Sequence, residues 1–439
     1  MSRLFIDTPH LVFQIHDTQA DSALDFPSAD VRVLRELAQR YAEIAALPAQ
    51  QAGKLRWQRL NDLEPERPLL WTNEVCWNEM DHDGSLRLRC VNEVCQRIET
   101  ELRRTLYQWE HFPGDMIVEP VFYSPLIIEN SGFGISPEAD VAVTDQTSEI
   151  ASRRFHNQIR TEEDLEKIRA PQISYDAGRT EEFRTAYRRL LEGILPVEKR
   201  GSPGFWFAPW DDIVFWMGAE EVLMGLATRP QFMHRIIRRL TDVYLGGLAQ
   251  FERLNLLSLN TCNLRVGSGA YGYTKQLPPP DFAENRVRPI DIWGSATPQI
   301  FGSVSPQMHE EFGVAYELEW LSRFGLTYYG CCEPLHDKLD VLGRIPNLRK
   351  ISISPWADLA AAARRIGRRY VISLKPSPSV LAAPSWHPEL VRQELETKLA
   401  AARGCNVEIV LKDISTVHRE PQRLWQWMQI AAEVAARHG

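Results

Sequence analysis

Residues 325–342 read GLTYYGCCEPLHDKLDVL, an apolar and aromatic run that ends in Cys331, Cys332 and Glu333 before turning into helix-like sequence. Thiolates bind zinc strongly and are good nucleophiles; a catalytic zinc takes about three protein ligands and keeps one position open. Neighbouring residues of an extended chain point to opposite sides, so only one of the two cysteines reaches a given centre. Cys332, at the turn, is better placed, with Glu333, His336 and Cys262 as further candidate metal ligands. Buried free thiols and an acid at a helix start explain the same residues without chemistry. Metal site, nucleophile and packing all stay open at this point.

Other residues could move protons or hold charge. Glu119 lies in the apolar run MIVEPVF, where burial would raise its pKa and suit it to proton transfer; a structural ion pair is the alternative. Tyr123 follows it. Asp211 and Asp212 come after FAPW and precede an apolar helical run, so capping competes with catalysis. Lys375 and Lys412 end apolar runs and could clamp a carboxylate or stabilise developing negative charge, and His418 follows shortly after. Trp210, Trp293, Gln299 and Trp356 are candidates for contacting substrate. The segment GSGAYG (267–272) has the spacing of a dinucleotide fingerprint, but YTKQLPPPDF follows where a helix should open. No nucleotide is expected; a flexible active-site loop is.

These residues depend on the elements that carry them. Up to about residue 110 the sequence is polar, Trp-rich and helix-like, as in DVRVLRELAQRYAEIAAL. Beyond it, short apolar runs alternate with amphipathic stretches. The expected strands are 116–122, 204–210, 256–263, 289–296, 326–331, 348–354, 370–375 and 407–413. Such alternation predicts an α/β fold, a (β/α)8 TIM barrel over 111–439, with a helical extension over 1–110 and an insertion at about 125–203. A doubly wound open sheet is the alternative. In a barrel, chemistry sits at the C-terminal strand ends, where most of the candidates fall.

Composition bounds the rest. The chain has 439 residues, 44% of them hydrophobic, and a formal net charge of -8. That charge, without any dense Lys/Arg block, argues against nucleic acid; RRFHNQIR and RRIGRR read as solvated surface. The seven cysteines are odd in number and scattered, unlike a disulfide framework, and fit a reducing cytoplasm. The first residues lack an export signal, and no run approaches the roughly 18 apolar residues of a membrane span.

GAEEVLMGLATRPQFMHRIIRRLTDVYL, SPQMHEEFGVAYELEWLSRFGLTYYGCCEPLHDKLDVL and DISTVHREPQRLWQW together resemble the uroporphyrinogen decarboxylase superfamily over roughly residues 110–439. The superfamily includes tetrapyrrole decarboxylases, zinc-dependent corrinoid-protein methyltransferases and the barrel of cobalamin-independent methionine synthase. The resemblance places the family's zinc cysteine on Cys332 but its partner histidine on Gly330, and the late family cysteine meets Asp413 to Thr416. It implies zinc with an incomplete ligand set, a corrinoid carried on a partner protein, and a homodimer. It further implies methyl transfer from a small O- or N-methylated compound to a corrinoid-protein or thiol acceptor. A metal-free decarboxylase or lyase of a small carboxylate is the alternative, and a non-catalytic ligand-binding member is a third reading.

Overall fold

The computed structural model describes residues 22–143 and 151–438. The first 21 residues, on which the expectation about an export signal rests, lie outside the described residues. Strand β1 (Leu69–Thr72) opens the main sheet, and five strands of the C-terminal half complete it: β8 (Trp293–Ala296), β9 (Leu326–Tyr329), β10 (Leu348–Ile353), β11 (Val371–Leu374) and β12 (Asn406–Leu411). Their order is β1-β12-β11-β10-β9-β8, and every neighbouring pair is parallel. β8, β9, β11 and β12 are buried at every position, as strands covered on both faces must be.

Between β1 and β8 lie three short pairs. β2 (Phe122–Pro125) joins β7 (Val197–Arg200), β3 (Ile128–Asn130) joins β6 (Ile173–Tyr175), and β4 (Ala139–Ala142) joins β5 (Ser152–Phe155). The main sheet extends past its edges by single contacts: Phe207 bridges Ala296 in parallel, and Asp115 N–H donates to the Leu70 carbonyl. The fold is therefore mixed α/β around a six-stranded parallel sheet, consistent with a TIM-type arrangement. Among the described residues it does not form the continuous eight-stranded ladder expected from sequence.

The differences from expectation have local causes. The run 116–122 becomes a strand only from Phe122. In 204–210, Pro209 starts the helix Pro209–Met217, leaving Phe207 as a lone bridge. In 256–263, only Leu257 pairs, with Ser202. β1 falls in the stretch read as helical; it is only four residues long and follows two genuine helices, Ser28–Ala45 and Pro48–Asn61.

The segment expected to be a flexible loop is a buried plug. Arg265 and Tyr271 pair antiparallel, and residues 266–274 are all buried. A Cβ on Gly269 would meet the Tyr328 ring at 2.5 Å and Glu408 Oε1 at 2.6 Å, so glycine is what allows the turn against the sheet. Among the described residues no helix is long and apolar enough to cross a membrane.

Candidate active site

β9 ends at Tyr329, and Gly330, with φ of 92°, turns the chain at the C-terminal edge of the sheet. Cys331 and Cys332 follow, one buried and the other exposed. Their sulfurs are 3.5 Å apart. Lys412, which directly follows β12, brings Nζ to 3.6 Å from Cys331 Sγ and 3.9 Å from Cys332 Sγ. The same ammonium pairs with Asp413 at 2.6 Å and with Glu74, just beyond β1, at 3.4 Å. Arg265 at the base of the plug pairs with Glu74 at 2.5 Å. Three strand ends and the plug thus meet at one dithiol.

The electrostatics divide the two thiols. Cys331 S–H donates towards Cys332, holding the Cys332 pKa below its ordinary value; burial and Asp413 oppose this, and Lys412 assists. Cys331 keeps its proton, raised well above the usual thiol range by that hydrogen bond and by burial. Burial also opposes the charge on Glu74, but Lys412 and Arg265 hold it ionised, well below the ordinary carboxylate range. Lys412 stays charged despite burial because both sulfurs accept from its ammonium and Glu74 and Asp413 pair with it. The result is an accessible thiol, Cys332, whose ionisation is favoured by a hydrogen bond from one side and a cation from the other.

Glu333 faces inward. Its carboxylate accepts from Thr297 Oγ1 at 2.8 Å and from the Cys331 N–H at 2.9 Å, fixing the turn that carries both thiols. Burial raises its pKa. Asp211 accepts from Gln299 Nε2 at 2.6 Å, and burial, with a contribution from the charge of Glu333, pushes its pKa up to about 7. It makes no side-chain cap to its helix. A carboxyl at that value is a competent acid or base near neutral pH.

The expected metal set does not converge. Glu333 is spent on Thr297 and the Cys331 amide. His336 is half-buried, with its Nδ1 unpartnered. Cys262 belongs elsewhere: burial pushes its thiol up to about 11, and the charges around it are Arg200, Glu119 and Lys54. Among the described residues no group of three or more His, Cys, Asp or Glu side chains is placed to hold a metal ion. With glycine at position 330, the residues present do not fit the zinc set that the resemblance implies.

The other candidates scatter in an instructive way. Glu119 accepts from Tyr273 at 2.7 Å and Tyr123 at 3.5 Å and pairs with Lys54 at 3.3 Å, forming a second buried cluster. Arg200 lies 3.1 Å from the Tyr123 ring centroid, and burial pushes that phenol up to about 12. Lys375 is buried against Ser373 Oγ at 2.5 Å and the Tyr328 hydroxyl at 3.1 Å, and burial lowers its pKa to about 7. His418 is exposed, with Nε2 2.8 Å from the Ala382 carbonyl oxygen.

Two of the tryptophans expected to contact substrate are core. Trp210 is fully buried, with its indole N–H on the Phe312 carbonyl, and Trp293 is buried with its N–H on the Gly272 carbonyl. Large apolar rings on strand and helix starts fill the interior here. Trp356 differs: it follows the end of β10, beside the dithiol's strand, and is 76% exposed.

Sequence reasoning missed Glu74 and Arg265. Glu74 follows a strand that was not foreseen, and LLWTNE was its only signal. Arg265 comes from the plug. A buried network behind β9 was also missed. The Tyr329 hydroxyl donates to Glu317 at 2.6 Å and lies 2.7 Å from His309 Nε2. It is built around the π-helical turn Glu310–Val314.

No family model matches the chain, and no curated protein matches it. Among solved structures, the chain is similar to a methyltransferase from Methanosarcina mazei, with a TM-score of 0.48 and 12% sequence identity. The likeness covers 87% of this chain and 98% of that one, and at this level it carries no argument about activity.

Proposed function

We propose that the protein is a group-transfer enzyme that moves a methyl group from a small O- or N-methylated donor to a thiol acceptor, with Cys332 as the base. The observation that carries this reading is the exposed Cys332 sulfur held between the Cys331 thiol at 3.5 Å and the Lys412 ammonium at 3.9 Å. Cys332 thiolate takes the proton of the acceptor thiol. The acceptor sulfur attacks the donor methyl carbon, the carbon–heteroatom bond breaks, and the leaving heteroatom takes a proton from Asp211. Solvent then exchanges the protons on Cys332 and Asp211. Trp356, exposed beyond the end of β10 on the strand next to β9, offers an aromatic face to the donor. Among the described residues no disulfide links the seven cysteines, which suits a reducing compartment.

The methyl group itself comes from the sequence resemblance. A corrinoid-carrying protein is the other acceptor that resemblance implies, and the zinc of such systems has no fitting donor set here. The decarboxylase reading needs cations to clamp a carboxylate. Lys412 is already committed to Asp413 and Glu74, and Lys375 to Ser373 and Tyr328.

The test is turnover of isotopically labelled methoxyarenes and methylamines with a panel of small thiols, read as methyl thioether by mass spectrometry. Cys332→Ala should lower turnover at least about 100-fold, the usual weight of a positioned base. Asp211→Asn should remove the fall in rate above about pH 7 that a protonated Asp211 imposes. Donor consumption that ignores the thiol, or that survives Cys332→Ala, would sink the reading.

A further inference from the structure

At the opposite end of the sheet, below the N-terminal ends of β1 and β12, lies a crevice of about 480 Å3. Three chain segments converge on it: the Pro65–Pro68 connection into β1, the loop bearing Arg368, and residues 402–407 entering β12. Among the described residues four arginines line it, Arg59, Arg67, Arg368 and Arg403, together with His438, against the single carboxylate of Glu66. Arg368 comes from the RRIGRR run whose sequence suggested only solvated surface.

The arginines are not equally free. Arg67 is spent on Asp115, at 2.6 and 3.0 Å. Arg59 donates to the Pro65 carbonyl and lies 3.7 Å from Glu66, whose other engagement is the Arg67 amide at 3.1 Å. Among the described residues Arg368 uses only Nε, on the Gly404 carbonyl at 3.1 Å, which fixes the guanidinium while leaving its terminal nitrogens to donate elsewhere. The Arg403 side chain has no protein partner among the described residues, although its backbone N–H is bonded to Ala400. The frame is held as well: Asn406 Nδ2 donates to the Arg368 carbonyl, tying two of the three segments together.

A concave site with surplus guanidinium donors recognises oxygens arranged as in phosphate, which the arginine fork meets two at a time. Among the described residues no aromatic ring lines the crevice other than the His438 imidazole, so no platform favours a nucleobase. We propose that this crevice binds a small, multiply charged oxyanion, a diphosphate or phosphate ester, through Arg368 and Arg403 with His438 and Arg59 at its margin. The site is independent of the reaction at Cys332.

Inorganic diphosphate titrated into the full chain by calorimetry, at constant ionic strength, tests it. One saturable site is expected, weakened about tenfold or more in the Arg368→Ala/Arg403→Ala double variant, which corresponds to roughly 1.4 kcal/mol or more. Both residues are exposed, so the variant should keep the circular dichroism of the parent, and the alkylation rate of Cys332 should not change. Absence of saturable binding would overturn the proposal, as would equal affinity in the double variant. A mixed-sequence oligonucleotide binding at lower concentration than diphosphate would overturn the assignment to a small ligand.

Discussion

Two lysines, one inside the sheet and one just past a strand end, show how the same charge can be locked away or put to use. Lys350 and Glu408 form an ion pair at 2.8 Å in the sheet interior, both fully buried. Further buried hydrogen bonds hold the pair: Lys350 also donates to the Tyr271 carbonyl, and Glu408 accepts from Ser373 and the Ala270 amide. Lys412 sits at the strand end, also nearly buried, but shares two carboxylates with a pair of thiols, one of them exposed. The interior pair is closed off from solvent and anchors the plug. The strand-end group leaves a reactive sulfur facing outward, and that surplus is what separates a candidate site from a structural pair.

The comparison breaks most sharply at the interior pair. Glu408→Ala leaves a buried ammonium without its counter-ion and should cost about 3–5 kcal/mol. Urea denaturation reads this as a lowered midpoint. Replacing both partners, as Lys350→Met with Glu408→Leu, should recover much of that loss, because the desolvation of two charges disappears with them. If Glu408→Ala is neutral, the pair does not hold the plug and the contrast with Lys412 fails. The same substitution should leave the thiol chemistry of Cys332 in place in whatever fraction stays folded.

A smaller effect separates the two neighbouring aspartates. Asp211 accepts from Gln299, whereas Asp212 accepts from the Tyr244 hydroxyl at 2.5 Å and is pushed by burial up to about 8. An acid whose folded pKa lies above its unfolded value of about 3.9 holds a proton that the unfolded chain has lost. Its stabilising contribution is full below about pH 4 and is lost as pH rises to about 8, with a slope approaching 1.4 kcal/mol per pH unit. Asp212→Asn should flatten that slope in denaturation measured from pH 5 to 8. An unchanged slope would show that Asp212 is ionised in the folded state.

How much of this was legible in the sequence depends on the length of the signal. β10 and β12 are long, apolar runs, each expected within a residue or two of where it lies. β1 is four residues among helices, and it brings Glu74 to Lys412, so the acid partner of the site was hidden with it. Cys331 and Cys332 announced themselves by type. Which one would be exposed depended on the turn at Gly330 and the inward pull of Thr297 on Glu333, and neither is a periodic feature. Glu119 and Cys262 misled because burial and residue type are visible in a sequence while the company they keep is not. Lys54 and Tyr273, which occupy Glu119, lie 65 and 154 residues away along the chain.

The finest contrast is between the two ways of stabilising the Cys332 thiolate. Lys412→Met removes a cation 3.9 Å from the sulfur and leaves Asp413 without its ion pair and Glu74 balanced by Arg265 alone. Both changes disfavour the thiolate, so the Cys332 pKa should rise and its alkylation by iodoacetamide at pH 7 should slow about tenfold, one pKa unit being roughly 1.4 kcal/mol. Cys331→Ala removes the hydrogen bond that is the larger influence on Cys332, and should slow the same reaction at least as much. With seven cysteines in the chain, the rate must be followed on the peptide carrying residue 332 by mass spectrometry. If only Cys331→Ala slows alkylation, the neighbouring thiol sets the reactivity and Lys412 is a structural cation like Lys350. If only Lys412→Met does, the ammonium is the activating group and Cys331 is packing. Slowing in both, with a steeper pH dependence in each, is what a thiolate shared between a donor thiol and an ammonium requires.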